Sequence, residues 1–336
     1  MKINKTQLLA ALETVKPGLA NRELIEQSTS FAFMDDRIVT YNDEISISHP
    51  IEGLEIVGAI NANELYNLLG KLKKEEIDLT VTDSELLIKC GSAKAGLTLQ
   101  SEITLPIGEI GKKGKWKAIP EDLLKAMSFV MGCAVKDMSQ PILMCVHVNK
   151  AGYVEASDSY RISKMILNEE LPVKTFLIPA SSVAKVVKMN PVKIAEGDGW
   201  IHFKTENGST ISCRVFSNDS FPDTSPFLKV KGTAFVFPDL TKDILEKAAI
   251  FCKKDGLHEN INITLDAGKF SIKSQSESGW FEETVKIKYT GDTIVFSLPP
   301  ATLKYILTET LECSVSNEKM IFAGENWVYV TSLNTI

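Results

Sequence analysis

The stretch IPASSVAKVVKMNPVKIAEGDGWIHFKT, Ile178 to Thr205, decides how the chain is read. Val183, Val186 and Val187 recur at i, i+3 and i+4, the spacing of one helical face. Val192 and Ile194 then alternate, Gly197 to Gly199 supplies a turn, and Ile201 and Phe203 alternate again. This order predicts a helix, a strand, a tight turn and a second strand. An upstream copy opens at Ile60 as INANELYNLLGKL, with Leu65, Leu68, Leu69 and Leu72 on the helix and Ile77, Leu79, Val81, Leu86 and Ile88 in two strands. A downstream copy opens at Leu298 as LPPATLKYIL, with Leu303, Ile306 and Leu307 followed by strands around Val315 and Phe322. The copies start 118 and 120 residues apart, too far for a solenoid repeat but one small domain long.

Three similar domains are therefore expected, at 1–112, 116–228 and 232–336. The polar, glycine-bearing stretches Gly108 to Lys115 and Pro226 to Gly232 read as the linkers. Candidate helices cover 3–16, 61–74, 120–136, 179–190, 239–254 and 299–312. Two helices and about eight short strands per domain predict an α+β class, with helices on one side of antiparallel sheet.

Hydrophobic residues make up 44% of the 336 and charged ones 24%, which excludes a disordered chain. No apolar run approaches the roughly 20 residues of a membrane span, and the opening MKINKTQLLAALE does not resemble a signal peptide. Cys90, Cys133, Cys145, Cys213, Cys252 and Cys313 include no CxxC pair, so reduced buried thiols and a cytoplasmic location are expected rather than zinc. The net charge of −6 excludes a uniformly basic nucleic-acid coat. The candidate helices, however, are net positive, so the rest of the chain is more acidic than the whole. That pattern suits a polyanion held on one chosen surface.

Catalysis finds little support. His49, His147, His202 and His258 lie far apart, none with a second ligand at metal spacing, and no nucleophile elbow or phosphate-binding glycine loop is present. The run Glu196 to Gly199 has the composition of a hairpin turn. Asp43 and Asp158 each follow a strand at matching places in the repeat, which predicts a shared turn role rather than an acid pair. Neither an enzyme nor a cofactor or metal site is expected.

Two stretches carry a family resemblance. EASDSYRISKMIL, Glu155 to Leu167, resembles the ATDGHRLA segment in the middle domain of bacterial β sliding clamps, the processivity subunit of replicative DNA polymerase. SCRVFSNDSFPD, Ser212 to Asp223, resembles the segment that precedes their third domain. MKINKTQLLAALETV, PILMCVHV and FSLPPATLKYIL fall in the matching order, so the resemblance spans the chain.

The resemblance implies a head-to-tail homodimer ring around double-stranded DNA, helices inward, gripping phosphates without sequence preference. It places Arg22 and Lys136 in DNA-contacting loops; helix placement adds Lys71, Lys73, Lys185 and Lys188. It also implies a pocket for short hydrophobic peptides of DNA polymerase and clamp loader. Carried over, that pocket comprises Ile142, Ser157, Ser159, Tyr160, Arg161, Ile162, Pro222, Pro226, Phe227, Val330, Ser332 and Leu333, with Arg161 free to pair with peptide groups. Ser159-Tyr160 replaces the family's Gly-His, and SLNTI replaces a tail containing methionine and arginine, departures that fit a divergent or phage-type clamp. Three repeats argue against a trimeric two-domain clamp. A scaffold or decoy that only captured clamp partners would not need the helix lysines.

Overall fold

The computed structural model describes residues 1–34, 36–110, 113–216, 221–229, 231–252, 259–316 and 318–334. His258 and Ser217 to Ser220 of the second motif lie outside them. The chain forms two compact units, Met1–Lys125 with Asn149–Ala151 and Glu169–Asn218, and Ala126–Val148 with Gly152–Asn168 and Asp219–Ile336. The first and third sequence copies fall in the first and second unit respectively. The middle copy, Ile178 to Thr205, lies whole in the first, while the rest of the expected domain 116–228 is divided between the two.

In the first unit, an eight-stranded antiparallel sheet runs Gly58–Asn61, Ser30–Met34, Arg37–Tyr41, Ile45–Pro50, Thr210–Arg214, Trp200–Lys204, Lys193–Glu196 and Lys117–Ala118. A four-stranded sheet runs Lys2–Asn4, Glu76–Val81, Glu85–Cys90 and Ala93–Thr98. Helix α1 (Lys5–Val15) buries Leu8, Ala11, Leu12 and Val15, and the Asn4 side chain caps it by accepting from Gln7 N at 3.0 Å. It ends in a 3-10 turn, Lys16–Gly18, whose glycine is required: a Cβ there would stand 2.3 Å from Thr40 Oγ1. Helix α2 (Ala62–Lys71) is capped by Asn61, which accepts from Asn63 N and Glu64 N.

The division between the units falls within helix α3 (Leu123–Val130), after Lys125, and α4 (Ala180–Met189) belongs to the first. Asn190, left-handed at φ +50°, ends α4. The second unit carries the strands Cys145–Asn149, Tyr153–Ser157, Arg161–Ile166, Trp327–Ser332, Lys319–Ala323, Glu312–Val315 and Thr233–Val236 side by side. Its four-stranded sheet runs Gly279–Lys286, Lys269–Ser276, Ile261–Asp266 and Ile294–Leu298. Helices α5 (Thr241–Ala248) and α6 (Pro300–Ile306) bury Ile244, Leu245, Leu303 and Ile306.

The helices are shorter than the sequence predicts. Lys2–Asn4 pairs as a strand with Glu76–Asp78 instead of starting α1. α3 tightens into a 3-10 turn at Met131–Cys133, with Gly132 packed on the Tyr305 ring, and α5 does so at Ala249–Phe251. Backbone groups at a helix end have no partner further along, and a tighter turn satisfies some of them. Lys73 consequently lies beyond α2, in a loop. Among the described residues no helix is long and apolar enough to cross a membrane, and all six cysteines are free.

Candidate partner pocket and nucleic-acid interface

The same hairpin is built twice. In the first unit Asn42 N donates to Ile45 O at 3.1 Å, and Asn42 Oδ1 accepts from Ile45 N at 3.1 Å. In the second, Asp158 N donates to Arg161 O at 3.2 Å, and Asp158 Oδ1 accepts from Arg161 N at 2.7 Å. The next residues, Asp43 and Ser159, are left-handed at φ +74° and +73°. The turn role predicted for Asp158 therefore holds, but its counterpart is Asn42, one residue before the expected Asp43.

This register aligns the two large sheets residue by residue. Cross-strand partners run Tyr41, Ser46, Ser212, His202 and Ala195 in the first unit. In the second they run Ser157, Ile162, Val330, Ile321 and Ser314. The frame agrees in its hydrogen bonds: Arg214 N donates to Glu44 O at 2.9 Å and Ser332 N to Tyr160 O at 2.8 Å.

In the first unit this surface is closed. The Tyr41 and Trp200 rings lie 6.3 Å apart, Arg214 stacks 4.9 Å over Trp200, and its Nη2 reaches Asp43 Oδ1 at 2.7 Å. Leu105 is buried with them, and Ile103, Ile107 and Ile110 pack alongside. His202, wholly buried, meets Ser212 through Nδ1 at 2.8 Å; burial first, then the Lys113 charge, lowers its pKa to about 4.

In the second unit Ser157, Ser159, Lys319 and Ser332 stand where Tyr41, Asp43, Trp200 and Arg214 stand in the first. A cavity of about 220 Å³ opens there, lined by Leu143, Ser157, Ser159, Tyr160, Ile162, Pro222, Asp223, Thr224, Phe227, Lys319, Val330 and Ser332. Its floor is aliphatic, its rim carries hydroxyls, the Lys319 ammonium and the Asp223 carboxylate, and Tyr160 and Phe227 are 71% and 52% exposed beside it. Such a site suits a short apolar side-chain anchor with polar groups fixing its backbone.

One wall is tied down by a buried polar cluster. Thr224 Oγ1 donates to Glu155 Oε2 at 2.5 Å, His147 Nδ1 lies 2.9 Å from Glu155 Oε1, and Lys164 Nζ lies 3.4 Å from Oε2. The Phe221 ring packs tilted against the His147 ring, centroids 4.7 Å apart. Burial pushes the Glu155 carboxyl upward, but the hydrogen bonds from His147 and Thr224 and the Lys164 charge outweigh it and hold the pKa below its ordinary value. The counterparts of His147 and Glu155 in the first unit are the apolar Ala32 and Val39.

Eight of the twelve expected pocket residues line this cavity: Ser157, Ser159, Tyr160, Ile162, Pro222, Phe227, Val330 and Ser332. Ile142 and Pro226 do not line it; their chain neighbours Leu143 and Phe227 do. Arg161 and Leu333 sit on the opposite face, because side chains alternate along a strand and Ile162, Val330 and Ser332 take the cavity side. Arg161 is also committed, its Nε donating to Asp158 Oδ2 at 2.7 Å, which corrects the expectation of a free guanidinium. Lys319, Asp223 and Thr224 were missed; aligning Lys319 with Trp200 across the repeat would have found the first.

Arg22, Lys71, Lys73, Lys136 and Lys188 are exposed, and none pairs with a carboxylate among the described residues. Lys185 differs. It lies on the flank of α4 between the buried Ser182 and Val186, and burial lowers its pKa, opposed by nearby Glu44.

Fold and register together define a class: this is the fold of the bacterial DNA polymerase III β sliding clamps. The β subunit from Streptococcus pyogenes matches at a TM-score of 0.85 and 18% identity, over 100% of this chain and 99% of that one. The β subunit from Thermotoga maritima matches at 0.82 and 17%, over 100% and 99%. A sliding clamp from Pseudomonas aeruginosa bound to griselimycin matches at 0.83 and 18%, again over 100% and 99%. No protein-family model matches the sequence, and no curated protein sequence matches it.

Proposed function

We propose that the chain is a DNA sliding clamp: two copies close head to tail around duplex DNA, and the pocket tethers a replicative polymerase and a clamp loader through short apolar peptides. The three-domain division at 1–112, 116–228 and 232–336 belongs to this reading. The observation that carries it is an open, aliphatic-floored pocket at the place the resemblance implies, within a fold shared over the full length. The role is mechanical, with no covalent step and no cofactor.

Two further features support it. Strands Ala93–Thr98 and Gly279–Lys286 are each the outer strand of a four-stranded sheet, and Trp280 on the second is 65% exposed. An uncovered edge is a template for pairing, and two different edges on one chain make a heterologous contact that closes into a ring when the rotation permits. The exposed cations Arg22, Lys71, Lys73, Lys136 and Lys188 suit phosphate contact without base readout. Light scattering at micromolar concentration is expected to give about twice the chain mass of 37.1 kDa. A stable monomer or a trimer contradicts the two-copy ring.

A further inference from the structure

We propose that the pocket of the second unit is an unplugged copy of a site that the first unit fills with its own side chains. Positions 157, 159, 319 and 332 then limit the chain to one socket of this kind. The inference rests on the peptide-tethering reading above and adds which residues open the site and what an occupant must bring.

Backbone frame and hairpin are the same in both units, down to the paired left-handed residues and the strand-joining bonds at 2.9 and 2.8 Å. What differs is the set of four side chains. Tyr41, Asp43, Trp200 and Arg214 form one interlocked plug, aromatic pair below and ion pair above. All four of their counterparts line the cavity, and three of them are serines. The floors differ at two positions as well. The plug packs on Ala32 and Val39 with Ser46 and Ser212 beside them, whereas the open site exposes Ile162 and Val330 at the places of those serines to whatever enters. Aliphatic groups beneath an opening are the pattern of a surface meant for an occupant.

The plug defines that occupant. It is an extended segment whose aromatic or branched apolar side chain takes the volume of the Tyr41 and Trp200 rings. A carboxylate on the segment meets Lys319, whose ammonium has no carboxylate partner among the described residues. The three hydroxyls leave room for its backbone.

The test rebuilds the plug. Ser157→Tyr combined with Lys319→Trp, and Ser157→Tyr alone, are titrated by calorimetry with griselimycin, the compound in the P. aeruginosa clamp crystal, and melted alongside wild type. The double variant is expected to lose affinity by on the order of a hundredfold and the single by roughly tenfold. Melting temperatures should be unchanged or raised, because the new rings cover an exposed aliphatic floor. Wild-type affinity in a folded double variant overturns the gating role of these positions. A lowered melting temperature in both variants overturns the plug equivalence whatever the titration shows. If wild type binds nothing, the tethering reading fails, and the equivalence stands or falls on melting alone.

Discussion

Glu155→Ala is expected to lower unfolding free energy by about 2–4 kcal/mol at neutral pH and to weaken occupancy of the pocket with it. The carboxylate is buried at the centre of three contacts, from His147, Thr224 and Lys164, and removing it leaves buried polar partners unsatisfied. Thr224 belongs to the segment that supplies Pro222, Asp223 and Phe227 to the pocket wall, so the cluster positions the wall as well as stabilising the sheet. The pH dependence has a definite sign. Glu155 is more acidic folded than unfolded, so its contribution is present above the unfolded value near 4.5 and is lost as pH falls through the lower folded value. Urea titrations should therefore separate wild type from Glu155→Gln at pH 7 and bring them together in acid below the ordinary carboxylate range. A constant gap between the two proteins at all pH values contradicts the account of the cluster.

Arg22→Glu with Lys188→Glu is expected to reduce retention on DNA steeply, without change in melting temperature. Both side chains are exposed and pair with no carboxylate among the described residues, so reversal costs the fold little. A two-copy ring would lose four phosphate contacts, and the slope of log affinity against log salt should flatten by roughly 3–4. Lys185→Gln provides the contrast, because its ammonium is withdrawn beside Glu44 and should contribute little to DNA retention. Equal losses from both changes would mean that α4 meets DNA through a different face. An unaltered salt slope in the reversed variant would remove these residues from the interface.

What the sequence made legible was periodic and local. Three copies of one helix-and-hairpin unit stand out because Leu65, Leu69, Val183, Val186, Leu303 and Ile306 must each face a sheet, and burial imposes the 3.6-residue spacing. The failures arose where distance in sequence, not pattern, decides. A one-residue offset between Asn42 and Asp43 is invisible to composition, since both suit a turn, and only the left-handed φ at Asp43 and Ser159 fixes the register. Strand alternation turns Arg161 and Leu333 away from the cavity, and pairing opposite Ser332 brings Lys319 into it. The Glu155–Thr224 bond spans 69 residues, so neither residue announces the other. The repeat itself held the missing information: aligned strand by strand, Tyr41 against Ser157 and Trp200 against Lys319 mark one closed site and one open one.

Encirclement of DNA is a topological property, and one measurement addresses it. The protein is assembled on nicked circular duplex DNA with a bacterial clamp loader and ATP, freed of unbound protein by gel filtration, and the DNA is then cut once. A ring that encircles without gripping bases should stay with the circle and run off the ends within the time of the assay once it is linear. Equal retention on circular and linear DNA, or none on the circle, contradicts encirclement and leaves a clamp-like fold that captures partners without enclosing DNA.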